Sequence, residues 1–490
     1  MKENKVMIEG ASARRASSFS LSEAYSFFGV DPDELKQLTA IALEKGGDYA
    51  DFYFEYSTSD DLMLRDGEVS SVGSHIDYGV GVRVLSGEMT GYAYAEKTDR
   101  ESIASAARMA ASIADRPGNH YVAPEMILLE AASNRYPILQ DWEAYPVLMQ
   151  KEFLKALDET VRSRDERIIK VIARLSHSYA KIFFYNSEGE QHTDVRPMAS
   201  LSLSCIMKSG TRVENFSASR SFRCGCEFLT DALCLELSDE VVRGCSRMME
   251  AEQPAGGAMP VVMGAGGSGI LLHEAMGHAF EADFNRKGQS IFSDKMGQQV
   301  CPKGVNVVDD GTVAFNRGSG NYDDEGVAAE KTYMVRDGIL TSYLHDRISA
   351  SWYGVRPTGN GRRENFRYNP IPRMRATYME SGDADPQSMI AEVRQGIYVD
   401  EFSNGQVKIG EGDFTFFVRS GYLIEDGRLT MPVKDINIIG NGPQALADIL
   451  AVGNDLKIDN GTWTCGKEQS VAVSCGMPTV LVRNLTVGGE

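Results

Sequence analysis

The chain has 490 residues, 42% of them hydrophobic and 24% charged, and a formal net charge of −19. Such a length exceeds one ordinary core, so two domains are expected, and the composition is that of a soluble globular protein. The acidic balance argues against nucleic acid as the main partner, and no run approaches the ~18 apolar residues of a membrane span.

Residues 1–30 read as a poorly ordered polar arm. Arg14-Arg15 are followed by Ala16 to Glu23 without an apolar stretch, so neither a secretory nor a twin-arginine signal is read there. Asp31-Pro32 opens a helix with Leu35, Leu38 and Ala42 at helical spacing, ended by Gly46-Gly47. Asp51 to Tyr56 alternates as a half-buried strand should, Asp66-Gly67 marks a hairpin turn, and Gly79 to Ala95 reads as two strands around Ser86-Gly87. Thr98 and Glu101 suggest a capping box for a helix carrying Ile103, Ala107 and Ala110, which Pro117 stops. A further helix places Phe153, Leu157 and Val161 four apart, and strands run through Ile168–Tyr185 and Met198–Met207.

Ala251–Met259, with Gln253-Pro254 and Gly256-Gly257, is the expected boundary. The reading is therefore an α+β fold: an arm over 1–30, an N-terminal α+β domain over 31–252, and a C-terminal domain over 253–490. Beyond the boundary, Pro260–Met263 is a short strand, and turn dipeptides such as Asp310-Gly311, Asn360-Gly361 and Asp426-Gly427 punctuate a strand-rich, barrel-like half.

The most informative stretch is His273-Glu274-Ala275-Met276-Gly277-His278. Two imidazoles can hold a divalent metal, and a glutamate beside them can take a proton from metal-bound water. In the usual H-E-x-x-H pattern the histidines lie roughly 40° apart around a helix; here, one residue further apart, they lie roughly 140° apart. Both reach one ion only if the helix widens into a π turn or breaks, and Gly277 is the residue most able to permit that. A zinc site needs a third protein ligand; Glu281, Asp283 and the distant Cys465 all remain open on spacing.

Two other patterns compete for attention. Gly264, Gly266 and Gly269 match G-x-G-x-x-G between a strand and a helix, but no second parallel strand or suitably placed acidic residue follows, so aiming the metal helix is the favoured reading over nucleotide binding. Arg362, Arg363, Arg367, Arg373 and Arg375 cluster in a proline-containing loop. One of them could hold a peptide carboxylate, although a solvated or ion-paired loop is the commoner outcome. The eight cysteines include no C-x-x-C pair; Cys224 and Cys226 read as adjacent strand positions, and the low density fits a reducing, cytoplasmic setting.

His273–His278 followed by Glu281-Ala282-Asp283-Phe284, together with Gly79–Ala95, Asn369–Tyr378, Val452–Asn460, Cys465–Glu468 and Leu485–Gly489, resembles the TldD/PmbA metallopeptidases, historically labelled modulators of DNA gyrase. The likeness is to the TldD-type, metal-bearing member and runs from about Asp31 to Glu490. It departs in Cys475, where a small residue is expected, and in the arm before Asp31. The resemblance implies zinc held by His273, His278 and Cys465, Glu274 as catalytic base, and small or unstructured peptides as substrates. It also implies a homodimer, or a heterodimer with a metal-free PmbA/TldE-type subunit. The expected function is zinc-dependent peptide hydrolysis; the alternative is a non-catalytic partner subunit of such a complex.

Overall fold

The computed structural model describes residues 18–114, 121–131 and 133–489; Pro117 and His120 lie outside them. Where an arm is expected, helix α1 (Leu21–Phe28) forms. Its signal is legible after all: Ser20 and Glu23 make a capping box, and Gly29 closes the helix at φ 67. Phe28 is buried, so the segment is docked. Helix α2 (Pro32–Ala42) follows, capped by Asp31. Helix α3 (Arg100–Ala111) is capped by Asp99, one residue later than expected, because the Thr98 hydroxyl is engaged with Tyr78 Oη at 2.5 Å.

Strands β1 (Tyr49–Arg65), β2 (Glu68–Ser86), β3 (Met89–Ala95), β4 (Ile168–Asn186), β5 (Glu190–Ser209) and β6 (Arg212–Phe222) build one sheet in the order β3-β2-β1-β4-β5, with β6 and Ile127–Leu128 both on β5. Asp66 and Gly67 take φ of 54 and 77 at the β1–β2 turn. Helices α4 (Val147–Arg162) and α5 (Asp231–Glu250) bury Leu154, Leu157, Val161, Leu237 and Val241 in one core beneath the sheet. Cys224 and Cys226 lie just past the end of β6 rather than within a strand.

In the C-terminal half, β7 (Gly257–Met263) lies between Gln395–Val407, its parallel neighbour, and Val480–Gly489. Pairing continues through Ile436–Asn441 and Asp413–Glu425 and returns to Gln395–Val407, so the expected barrel closes. A second sheet includes Val307–Asp310 and Ala376–Met379. The two halves are joined by buried ions: Arg83 pairs with Asp51, its cross-strand neighbour, and reaches Glu325 of the C-terminal half at 2.5 Å. Removing one partner would strand a buried charge, so this contact fixes the position of one half against the other. No described helix is long and apolar enough to cross a membrane.

Candidate metal centre

The glycines after β7 serve packing. Gly266 turns at φ 102, and a Cβ on Gly269 would lie 2.5 Å from the Gly476 nitrogen. The nucleotide reading fails on topology, since the parallel neighbour of β7 comes from far along the chain, not from a strand just after the helix.

Past one α turn (Ile270–Leu272), residues His273–Gly277 form a π turn, with the His278 N–H bonded to the His273 carbonyl. In such a turn, residues five apart stand where residues four apart stand in an α-helix. The two imidazoles therefore face one space, with ring centroids 5.1 Å apart. Gly277 has ordinary helical φ and ψ of −55 and −55. Its role is room, not backbone freedom, because a Cβ there would lie 2.0 Å from Met374 Sδ. Met374 is fully buried, so Gly277→Ala is expected to cost about 1–3 kcal/mol and to lower metal content. A thermal melt and metal analysis check this; an unchanged melt would show that Met374 gives way freely.

Cys465 arrives on β8 (Thr464–Lys467), which pairs only with β9 (Gln469–Ala472) among the described residues. Its Sγ is 3.2 Å from His278 Nε2, and donor atoms of His273, His278 and Cys465 all lie within 4.8 Å of one another. Burial alone would raise the Cys465 thiol, but the charges and hydrogen bonds of both imidazoles outweigh it and hold the thiol at about 5. His273 Nδ1 is buried without a partner. Two imidazoles and a cysteine sulfur form a donor set that fits zinc.

Glu281 and Asp283 are otherwise engaged. Glu281 Oε2 accepts from His278 Nδ1 at 3.0 Å, which leaves Nε2 of that ring for the centre, and lies 3.1 Å from Lys467 Nζ. Burial pushes Glu281 up, yet Lys467, His278 and Arg373 hold it at about 2. Asp283 accepts from the same ammonium at 2.8 Å. Glu281 is therefore engaged with His278 and Lys467 and lies outside the cluster of three donors. Glu281→Gln is expected to weaken zinc binding by about 10–100-fold, measured by competition with a chromophoric chelator. Arg373 bonds the carbonyls of Cys465 at 2.7 Å and Gln469 at 2.8 Å, clamping the hairpin; nothing in the sequence marked it apart from its cluster. Arg362, Arg373 and Arg375 are buried and bonded to backbone carbonyls, not solvated as expected of a loop. Arg363 and Arg367 do form ion pairs, with Asp51 and Asp77.

Glu274 is half-buried beside the three donors. Burial pushes its carboxyl above the ordinary range, against the pull of the two imidazoles. A larger cavity of about 950 Å³, against Trp142 and His177, includes none of these residues.

Family models for PmbA/TldA metallopeptidases match at residues 50–114 (domain 1), 141–247 (central domain) and 256–489 (C-terminal domain). A Haemophilus influenzae protein named Metalloprotease TldD homolog is 38% identical over 448 residues, 90% of this chain and 93% of that one. This chain belongs to the TldD/PmbA family. A Methanothermobacter thermautotrophicus protein named Metalloprotease is 30% identical, over 94% of this chain and 99% of that one. The fold is also that of a Thermotoga maritima crystal structure described as a modulator of a DNA gyrase, with a TM-score of 0.76, 22% identity, and coverage of 93% and 99%. TldE from Thermococcus kodakarensis matches with a TM-score of 0.72 at 18% identity, covering 93% of this chain and 100% of that one. TldD/PmbA chains divide into three domains where the sequence reading expects two. The discrepancy has a physical source: β1 of the first domain pairs with β4 of the second, so both share one sheet.

Proposed function

We propose that this chain is a zinc-dependent peptidase that hydrolyses small or unstructured peptides, with zinc held by His273, His278 and Cys465. The observation that carries it is the convergence of two imidazoles and a cysteine sulfur beside Glu274, in a chain of a metallopeptidase family. Zinc, when bound, supplies Lewis acidity toward a carbonyl and brings the acidity of water toward neutrality. Glu274, outside the donor set, is the group free to accept the proton of the attacking water and return it to the leaving amine. Glu281 holds the His278 ring in one tautomer, and Arg373 fixes the strand that presents Cys465.

The partner in this reading is a second chain of the same fold, either another copy or a PmbA/TldE-type subunit, and the unpaired state of all eight cysteines suits the cytoplasm. A purely non-catalytic subunit would have no use for the donor set or for Glu274. The test is metal analysis and oligomer mass on the purified protein, then cleavage of an unfolded peptide. Zinc near one per chain is expected, with cleavage abolished by chelator and restored by zinc. A zinc-loaded chain that cuts nothing, alone or with its partner, would end this reading.

A further inference from the structure

A cavity of about 340 Å³ lies between the N-terminal sheet and the C-terminal half, walled in part by Ser470, Val471 and Ala472 of β9. Arg223, Arg317, Arg362 and Arg375 line it. In a chain of net charge −19, none of these four makes an ion pair among the described residues, whereas Arg196 and Arg363 in the same wall pair with Asp324 and Asp51. The acids of the wall are taken: Asp324 by Arg196 at 2.5 Å, Glu364 by the Ser470 N–H at 2.6 Å, and Glu55 by the Phe366 N–H at 2.8 Å.

The four cations differ in what they do. Arg317, Arg362 and Arg375 donate to the carbonyls of Trp463, Ala472 and Gly359. Arg223 has a buried Nε with no partner, and its guanidinium lies 5.3 Å from the Tyr136 ring centroid. Burial disfavours the protonated form of Arg223, Arg317 and Arg362; neighbouring guanidinium charge comes next for Arg317 and Arg362, whereas for Arg223 Tyr136 comes next and acts the other way. A guanidinium nevertheless keeps its proton in proteins, so the four stay positive without a carboxylate in ion-pair contact among the described residues. Arg317 reaches the strand that carries Cys465, its Nη2 lying 3.2 Å from Thr464 Oγ1 on the residue before it.

We propose that this cavity is the subsite for a carboxylate of the peptide substrate, a chain terminus or an Asp or Glu side chain, with Arg223 as the principal donor. This rests on the peptidase reading above and adds to it a class of preferred substrate. A carboxylate matches the guanidinium fork, and the cavity is large enough for a terminal residue.

The experiment compares three peptides of one neutral sequence on the zinc-loaded, full-length protein: a free C-terminus, an amidated C-terminus with one internal Glu, and an amidated C-terminus with Gln in its place. The two carboxylate peptides are expected to show KM at least about tenfold below the neutral one, and whichever is lower identifies the source of the carboxylate. Arg223→Gln should close most of that gap through KM, and Arg223→Lys should restore part of it. Equal KM for all three peptides overturns the proposal whatever the variants do. Calorimetric binding of the same peptides to Glu274→Gln reads the subsite without turnover. If no peptide is cut by the wild type, the peptidase reading falls, while carboxylate-dependent binding upholds the subsite and its absence overturns it.

Discussion

Glu274→Gln is expected to keep zinc at the wild-type level and to lose peptide cleavage by about 10²–10⁴-fold. The substitution preserves the shape of a side chain that lies outside the donor set and is only half-buried, so neither metal nor fold depends on its charge. Among the described residues it removes the carboxylate beside the three donors that has no partner, since Glu281 is bound to His278 and Lys467, and Asp283 to Lys467. Metal analysis and mass-spectrometric detection of peptide products measure the two quantities separately. Cleavage at the wild-type rate would remove Glu274 from its role; cleavage lost together with zinc would instead make it a ligand.

The legible part of this centre was the part written locally. The five-residue spacing of His273 and His278 demands a widened helix, and the π turn meets that demand, yet the reason offered for Gly277 was the wrong one. A sequence shows that glycine can bend; it does not show that Met374 will pass where a methyl group would stand. Cys465 was beyond spacing altogether, because it lies 187 residues from His278 and is brought in by an arginine clamp on a hairpin. Glu281 was legible as a nearby acid but not as the partner of His278 Nδ1, since helix position alone does not tell a ligand from the group that orients it. In the arginine loop charge predicts solvent or ion pairs; Arg363, Arg367 and Arg373 do face acids, whereas Arg362 and Arg375 satisfy buried carbonyls, which no local pattern marks. In the fold, hairpin turns and helices α2 and α4 were readable from glycines and apolar spacing. Helix α1 is announced by Ser20 and Glu23, although the polar run before Asp31 reads as an arm. The continuity of one sheet across two family domains is a long-range pairing of β1 with β4, which no local pattern encodes.

Cys465→Ser is expected to lower zinc affinity by more than the ~10–100-fold assigned to the loss of an orienting partner. The imidazole neighbours pull the thiol below its ordinary range, which favours the thiolate that binds zinc, whereas a serine hydroxyl stays protonated and is a poorer zinc ligand. The hairpin should survive, because Arg373 grips the Cys465 carbonyl and not the sulfur. Loss of metal with an unchanged fold is therefore the expected result, read by metal analysis beside a thermal melt of the chelator-treated protein. Cys475 offers no rescue: it is buried on Ser474–Met477, a strand of another sheet, where burial pushes its thiol well up. Zinc binding unaltered in Cys465→Ser would place the third ligand elsewhere, with Glu281 the first to test. A combined Cys465→Ser and Glu281→Gln variant would then lose what the single one kept. If Cys465 is the ligand, Glu281→Gln alone leaves a weakened but measurable site, and this ordering of the two losses separates a ligand from the carboxylate that positions one.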